Sequence, residues 1–191
     1  YYPQKAFALL TDEEKEFITS VLLQREKITK KFNPISDLYL KFIVKELKPF
    51  IDQTFSTKKD KDHTFIAGSS MGGLISLYAI CEYPKVFGKA ACLSTHWTGI
   101  YQLDHNPIPE TFFNYLKKKL PNPKNHSIYF DYGDQTLDAL YPTLQQRVDL
   151  IMKDYGFTEK NWVTKYFPGE DHSEKAWSKR FSIPLEFLLK K

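Results

Sequence analysis

Residues Gly68-Ser69-Ser70-Met71-Gly72 constrain this chain more than any other five positions. They spell G-x-S-x-G between an apolar, β-branched run, Thr64-Phe65-Ile66-Ala67, and a small apolar stretch, Gly73 to Ile80. The first reads as a buried strand and the second as a core-facing helix. A strand entering a helix through so tight a turn, a nucleophile elbow, pushes the hydroxyl of Ser70 out at the top of a sheet. Gly68 and Gly72 flank the serine at two residues on either side, where a Cβ is expected to clash. With 8 glycines in 191 residues, an accidental match has a probability on the order of 2% before context is counted. The competing reading is a glycine-rich turn that only packs tightly or binds an anion at the helix N-terminus. No Lys follows the glycines and G-x-G-x-x-G spacing is absent, so a phosphate loop is excluded.

Composition narrows the rest. A chain of 191 residues with 42% hydrophobic content buries a sizeable core and is expected to form one domain, residues 1–191. The net charge of +4 is modest, and short basic runs such as Lys117-Lys118-Lys119 read as solvated faces rather than a nucleic-acid groove. Two cysteines, Cys81 and Cys92, are too few for a disulfide scaffold and are expected as buried free thiols. Neither C-x-x-C nor H-E-x-x-H occurs, so no metal is implied, and no cofactor is expected. No apolar run reaches membrane-spanning length. The opening Tyr1-Tyr2-Pro3 has neither Met nor a targeting segment, and no compartment is assigned.

Along the chain, Thr11-x-x-Glu14 is a capping-box signature ahead of Phe17, Ile18, Val21 and Leu22 at helical spacing. A longer helix starts at Pro34-Ile35-Ser36, with Leu40, Ile43, Val44, Leu47 and Phe50/Ile51 as its buried stripe and a kink expected at Pro49. After the elbow helix, stopped by Pro84, come strands at 90–94, 128–130 and 162–167, separated by helices around Phe112-Phe113 and over 142–155. A terminal helix over 174–190 is expected to break near Pro184. Alternating strands and helices mean an α/β fold with a mainly parallel sheet, whose chemistry collects at the carboxyl ends of the strands.

That edge rule sorts the five histidines. A serine hydroxyl needs a base, and the base needs an orienting group. His63 and His126 precede strands, at the wrong edge, and His105 lies in an irregular loop. His96 and His172 each follow a strand, but only His172 also comes after the acidic candidates, as the order Ser, acid, His requires. His172 is therefore the expected base, its alternative being an ordinary loop histidine, and His96 is expected to line the cleft with Trp97 and Tyr101. For those aromatic residues a packing role is an equal alternative. The acid lies in the loop after 128–130: Asp138 is the first choice and Asp134 the second, with Asp131 left in the strand and Asp171 structural. The backbone N–H of Met71 is the expected first oxyanion donor.

These residues resemble the Putative esterase family of α/β-hydrolases, which includes feruloyl esterases, enterochelin-type esterases and related acyltransferases. The matching stretches are Gly68 to Leu74, Tyr83 to Gly88, Leu93-Ser94 with Trp97, Asp131-Tyr132-Gly133, and Gly169 to Glu174 with Trp177 and Arg180. The resemblance implies an α/β-hydrolase fold and supports Ser70 and His172. It supports an acid in the 134–138 loop more loosely, because its members often place the acid nearer the glycine, where this chain has Thr136. Such a fold normally runs about four strands ahead of the nucleophile strand, one of whose loops gives the second oxyanion N–H. Ahead of Thr64 the sequence offers two helical segments only, so an N-terminal portion on the order of 80–110 residues is expected outside it. A sheet this short leaves an edge open to partner strands or to an oligomer.

The expected function is a serine esterase acting on a small-molecule or carbohydrate-linked ester. Alternatives are an acyltransferase on the same scaffold and a non-catalytic carbohydrate- or protein-binding module.

Overall fold

The computed structural model describes residues 2–25 and 28–190; Tyr1, Glu26, Lys27 and Lys191 of the expected 1–191 domain lie outside the described residues. The chain begins with a short helix α1 (Gln4–Phe7) and then α2 (Asp12–Gln24). Both bonds of the capping box form: Glu14 N–H donates to Thr11 Oγ1 (3.2 Å) and Thr11 N–H to Glu14 Oε2 (2.8 Å). Helix α3 (Ser36–Phe42) runs through a π turn (Ile43–Leu47) into α4 (Lys48–Thr54). The adjustment expected at Pro49 is thus taken just upstream of it. Proline cannot donate to the carbonyl four residues back, and a wider turn removes the clash with its ring. The expected stripe is only half buried: Leu40 and Val44 are in the core, while Leu47 and Phe50 are exposed beside Leu38 and Phe42.

Four parallel strands follow, each but the last joined to the next through a crossover helix. They are β1 (Phe65–Ser69), β2 (Lys89–Leu93), β3 (Ser127–Tyr132) and β4 (Trp162–Tyr166), in the spatial order β1-β2-β3-β4. Helices α5 (Met71–Glu82), α6 (Ile108–Lys119) and α7 (Pro142–Tyr155) make the crossovers. Sequential order with crossovers of one hand places all three on one face. Side chains on β2 and β3 alternate accordingly: Ala90, Cys92, Ile128 and Phe130 join the large core with these helices. Ala91, Leu93 and Tyr129 turn to the other face, where Leu188, Phe187, Ile183 and Trp177 cover them. These last come from α8 (Glu174–Arg180) and α9 (Ser182–Leu189). The terminal break falls at Phe181 rather than Pro184, because Pro184 sits in the first turn of α9, where a missing N–H costs nothing.

Both cysteines are free and buried. The middle strands β2 and β3 are almost wholly buried, whereas β1 is half-buried along its length with Ala67 exposed. Strand β1 pairs with β2 alone, and among the described residues no strand precedes it.

Candidate active site

Ser70 sits between β1 and α5 with φ 57° and ψ −121°, a conformation that L residues rarely adopt. The main chain holds it there. Its N–H donates to Leu93 O (2.9 Å), and its carbonyl accepts from Leu74 N–H (3.1 Å) and His96 N–H (3.2 Å). Gly68 explains the tightness: a Cβ there would lie 2.6 Å from the carbonyl carbon and oxygen of Gly72. Gly72 behaves otherwise, since a Cβ there would meet nothing within 4 Å, and it is Gly73 that is crowded, by Thr95 Oγ1 at 3.0 Å. The expected symmetry of the two flanking glycines is therefore broken. The turn folds one way, carrying the start of α5 over Gly68 and leaving the outer side of Gly72 open.

His172 and Asp138 come from the loops after β4 and β3, at the same carboxyl edge of the sheet as Ser70. The Ser70 hydroxyl donates to His172 Nε2 (2.8 Å), and His172 Nδ1–H donates to Asp138 Oδ1 (2.6 Å). A carboxylate only accepts, so the proton belongs on Nδ1, and Nε2 is left as the acceptor. Asp138 is fully buried in a 3₁₀ turn (Thr136–Leu140), and the side chain of His172 is 12% exposed. Two loops are stitched together to achieve this. Glu170 O accepts from the N–H groups of both Asp134 and Gln135 (3.1 Å each), and His172 N–H donates to Thr136 Oγ1 (3.0 Å). Gly133 permits the approach, because a Cβ there would lie 2.0 Å from Glu170 O. Thr136, which has a positive φ of 55° and stands where the resembling family often has its acid, thus holds the backbone N–H of His172.

Around His172 the rings close in. Trp177 and Tyr141 meet it edge-on at centroid distances of 5.0 and 5.7 Å, and His96 lies at 6.5 Å. His96 is 4% exposed and shares a 2.8 Å hydrogen bond between its Nδ1 and Tyr141 Oη. Burial, helped by the neighbouring His172, pulls its imidazole down to about 4, so it is neutral at pH 7. Behind Asp138, Ser94 is buried at a positive φ of 40°. Arg180 Nη2 donates to Ser94 Oγ (3.0 Å) and to Asp131 Oδ1 (2.9 Å). Burial raises the Asp131 carboxyl, and the Arg180 guanidinium opposes that rise.

The other expected site residues divide between this region and the rest of the fold. Asp134 faces away from the imidazole: it accepts from Gly169 N–H (2.9 Å), Gln135 (2.7 Å) and the Tyr166 hydroxyl. Trp97 is a core residue and not a cleft wall; it is 1% exposed, packs on Phe112 and Phe130, and donates its indole N–H to Gln145 (3.0 Å). Tyr101 is 48% exposed, with its ring 5.6 Å from that of His96, at the rim. Asp171 accepts from its neighbour Ser173 (2.5 Å). Met71 opens α5, where helix N–H groups lack a partner within the helix. Thr136 and Tyr141 have no motif of their own, and only contact across the fold identifies them. Among the described residues no group of His, Cys, Asp and Glu could hold a metal ion, and no helix is long and apolar enough to cross a membrane. A cavity of about 920 Å³ opens at the amino ends of the strands, lined by Phe65, Lys89, His126 and Asn161, and it includes none of Ser70, His172 and Asp138.

The family description "Putative esterase" matches residues 12–185. The chain is 27% identical over 156 residues to the uncharacterized protein YbbA of Bacillus subtilis, covering 78% of this chain and 58% of that one. It is 28% identical over 141 residues to carboxylesterase SOBER1 of Arabidopsis thaliana, covering 74% and 55%. It thus spans a little over half the length of the curated relatives it matches. Among solved structures, the enterochelin esterase from Shigella flexneri superposes with a TM-score of 0.65 at 18% identity, over 80% of this chain and 37% of that one. A ferulic acid esterase gives 0.62 at 18%, over 78% and 60%. At such identity these likenesses speak for the α/β-hydrolase fold.

Proposed function

This chain belongs to the Putative esterase family, and from that premise we propose that it is a serine esterase with Ser70, His172 and Asp138 as its triad. Ser70 Oγ attacks the carbonyl carbon of a carboxylic ester while His172 Nε2 takes its proton. Asp138 holds the imidazole in the tautomer that can do so and stabilises the imidazolium. The proton then passes to the departing alcohol, and a water, deprotonated by the same nitrogen, releases the acid from the acyl-enzyme. The Met71 N–H, at the positive end of α5, faces the developing oxyanion; one such donor typically contributes about 3 kcal/mol.

The observation that carries this reading is the unbroken line from Ser70 Oγ through His172 to Asp138, at 2.8 and 2.6 Å. His96 is neutral and bonded to Tyr141, which argues against it as an alternative base. The substrate is proposed to be a small-molecule or carbohydrate-linked ester, with Tyr101 and His96 beside the reacting carbonyl.

A fluorophosphonate probe tests the proposal. Labelling of the wild type that is lost in Ser70→Ala, together with ester hydrolysis lost in the same variant, is the expected result. No labelling of the folded wild type would instead favour a non-catalytic binding module. Products formed with and without an added sugar or alcohol tell hydrolysis from acyl transfer.

A further inference from the structure

Asp138 has two carboxylate oxygens and three donors. His172 Nδ1 takes Oδ1, while Oδ2 receives the Gly133 N–H (2.7 Å) and the Ser94 hydroxyl (2.6 Å). The Ser94 oxygen also contacts Trp177 Nε1 (2.9 Å) and Arg180 Nη2 (3.0 Å). Indole and guanidinium nitrogens donate and never accept, whereas a hydroxyl has one proton and two lone pairs. Both lone pairs of Ser94 are therefore occupied, and its single proton has one direction left, toward Asp138. The donors come from α8, directly after the His172 loop, so base and acid are tied to the same short helix.

Two features go beyond what packing requires. Arg180 is 4% exposed, yet its Nε and Nη1 have no hydrogen-bond partner, and a single nitrogen serves both Ser94 and Asp131. Its guanidinium also lies over the Phe167 ring, 4.9 Å from the centroid, but a buried cation with two nitrogens unbonded is costly to keep for stability alone. Ser94 itself holds a positive φ that a glycine would adopt without strain, and only a residue with a hydroxyl supplies this contact.

We propose that Arg180 and Trp177 are positioning residues that act through Ser94. By filling its acceptor sites they aim its proton at Asp138 Oδ2, which pins the carboxylate with Oδ1 toward His172. This rests on the triad reading above and adds a relay that touches neither substrate nor the reacting atoms.

The test is kcat and KM for p-nitrophenyl acetate, counted per mole of folded protein taken from the amplitude of its unfolding transition, so that loss of folded protein does not register. Ser94→Gly removes the hydroxyl at a backbone that suits glycine. It is expected to lower kcat roughly 10–100-fold, the range for loss of an outer partner of a functional ligand, with KM changed by less than about twofold. In an Asp138→Asn background the same change should cost under about threefold, because the relay has lost its target. Arg180→Met combined with Asp131→Asn, which leaves no lone buried charge, should reproduce the Ser94→Gly loss, and Arg180→Lys should restore most of it. Full kcat in Ser94→Gly, or an equal loss in both backgrounds, would overturn the relay while leaving the triad intact. Hydrolysis undiminished in Ser70→Ala overturns the triad itself and the relay with it.

Discussion

The two halves of the site are held in different ways. Ser70 is positioned by main chain: a positive φ, a glycine that lets backbone approach backbone, and three backbone hydrogen bonds. His172 and Asp138 are positioned largely by side chains, through Ser94, Thr136, Trp177 and Tyr141, which pack or bond across the fold. The first half also stands on β1, half-buried and at the edge of the sheet among the described residues, whereas Asp138 follows β3, which is paired on both sides. Backbone positioning needs no particular side chain beyond a glycine, because main-chain groups, those of Leu93 and His96 among them, supply every bond. Side-chain positioning needs a complete interior, since each polar group left unpaired there costs about 1–3 kcal/mol.

The sharpest way to break the side-chain half is at its acid. Asp138→Asn should lower kcat by about 10⁴-fold, as when a triad acid stops fixing the tautomer. Asp134→Asn should leave it within about twofold, as expected for a surface change away from the chemistry. Ester hydrolysis by the purified pair measures this, and equal losses would put the acid elsewhere.

On the backbone half, the two elbow glycines should separate. Gly68→Ala forces a Cβ against Gly72 and is expected to cost about 3 kcal/mol or more of stability, the upper range for overpacking. Gly72→Ala meets open space in a helix and should gain up to about 1 kcal/mol. Denaturant melts of the two variants decide it; similar losses would mean the elbow is crowded on both sides.

Acid should loosen the side-chain half through His96. Its imidazole titrates near 6.5 unfolded and at about 4 folded, so the folded chain binds fewer protons between those values. Its contribution is full above pH 6.5 and is lost as pH falls toward 4. At about 1.4 kcal/mol per unit, that loss is on the order of 3 kcal/mol. Tm measured across this window should fall less steeply in His96→Gln than in the wild type, and parallel curves would remove His96 from the account. The smallest effect concerns the edge itself. Amide hydrogen exchange in β1 should be at least ~10-fold faster than in β3, because an unpaired edge opens locally. Equal protection would mean that something covers β1 in solution.

Ser70 was legible because an elbow demands small residues at set spacing, and His172 because only one histidine satisfies both chain order and the carboxyl-edge rule. Asp138 was only half legible. Several acids share its loop, and what separates it from Asp134 is which one the 3₁₀ turn buries. The stripe over residues 40–51 is legible only in part, since helical spacing marks a face and says nothing about whether anything packs on it. For Trp97 the sequence leaves a cleft role and a packing role equally open, and its partners Phe112 and Phe130 put it in the core.

By itself the sequence determined the order of strands and helices, the family, and a serine forced out of a tight turn, because these depend on neighbours within a few positions. Only the tertiary structure decided which acid meets His172 and that Ser94 stands behind it. The residues that decide this lie 44 to 86 positions from Ser94. No periodicity or spacing links positions so far apart; their hydrogen bonds exist only once β2, β3 and α8 are packed together.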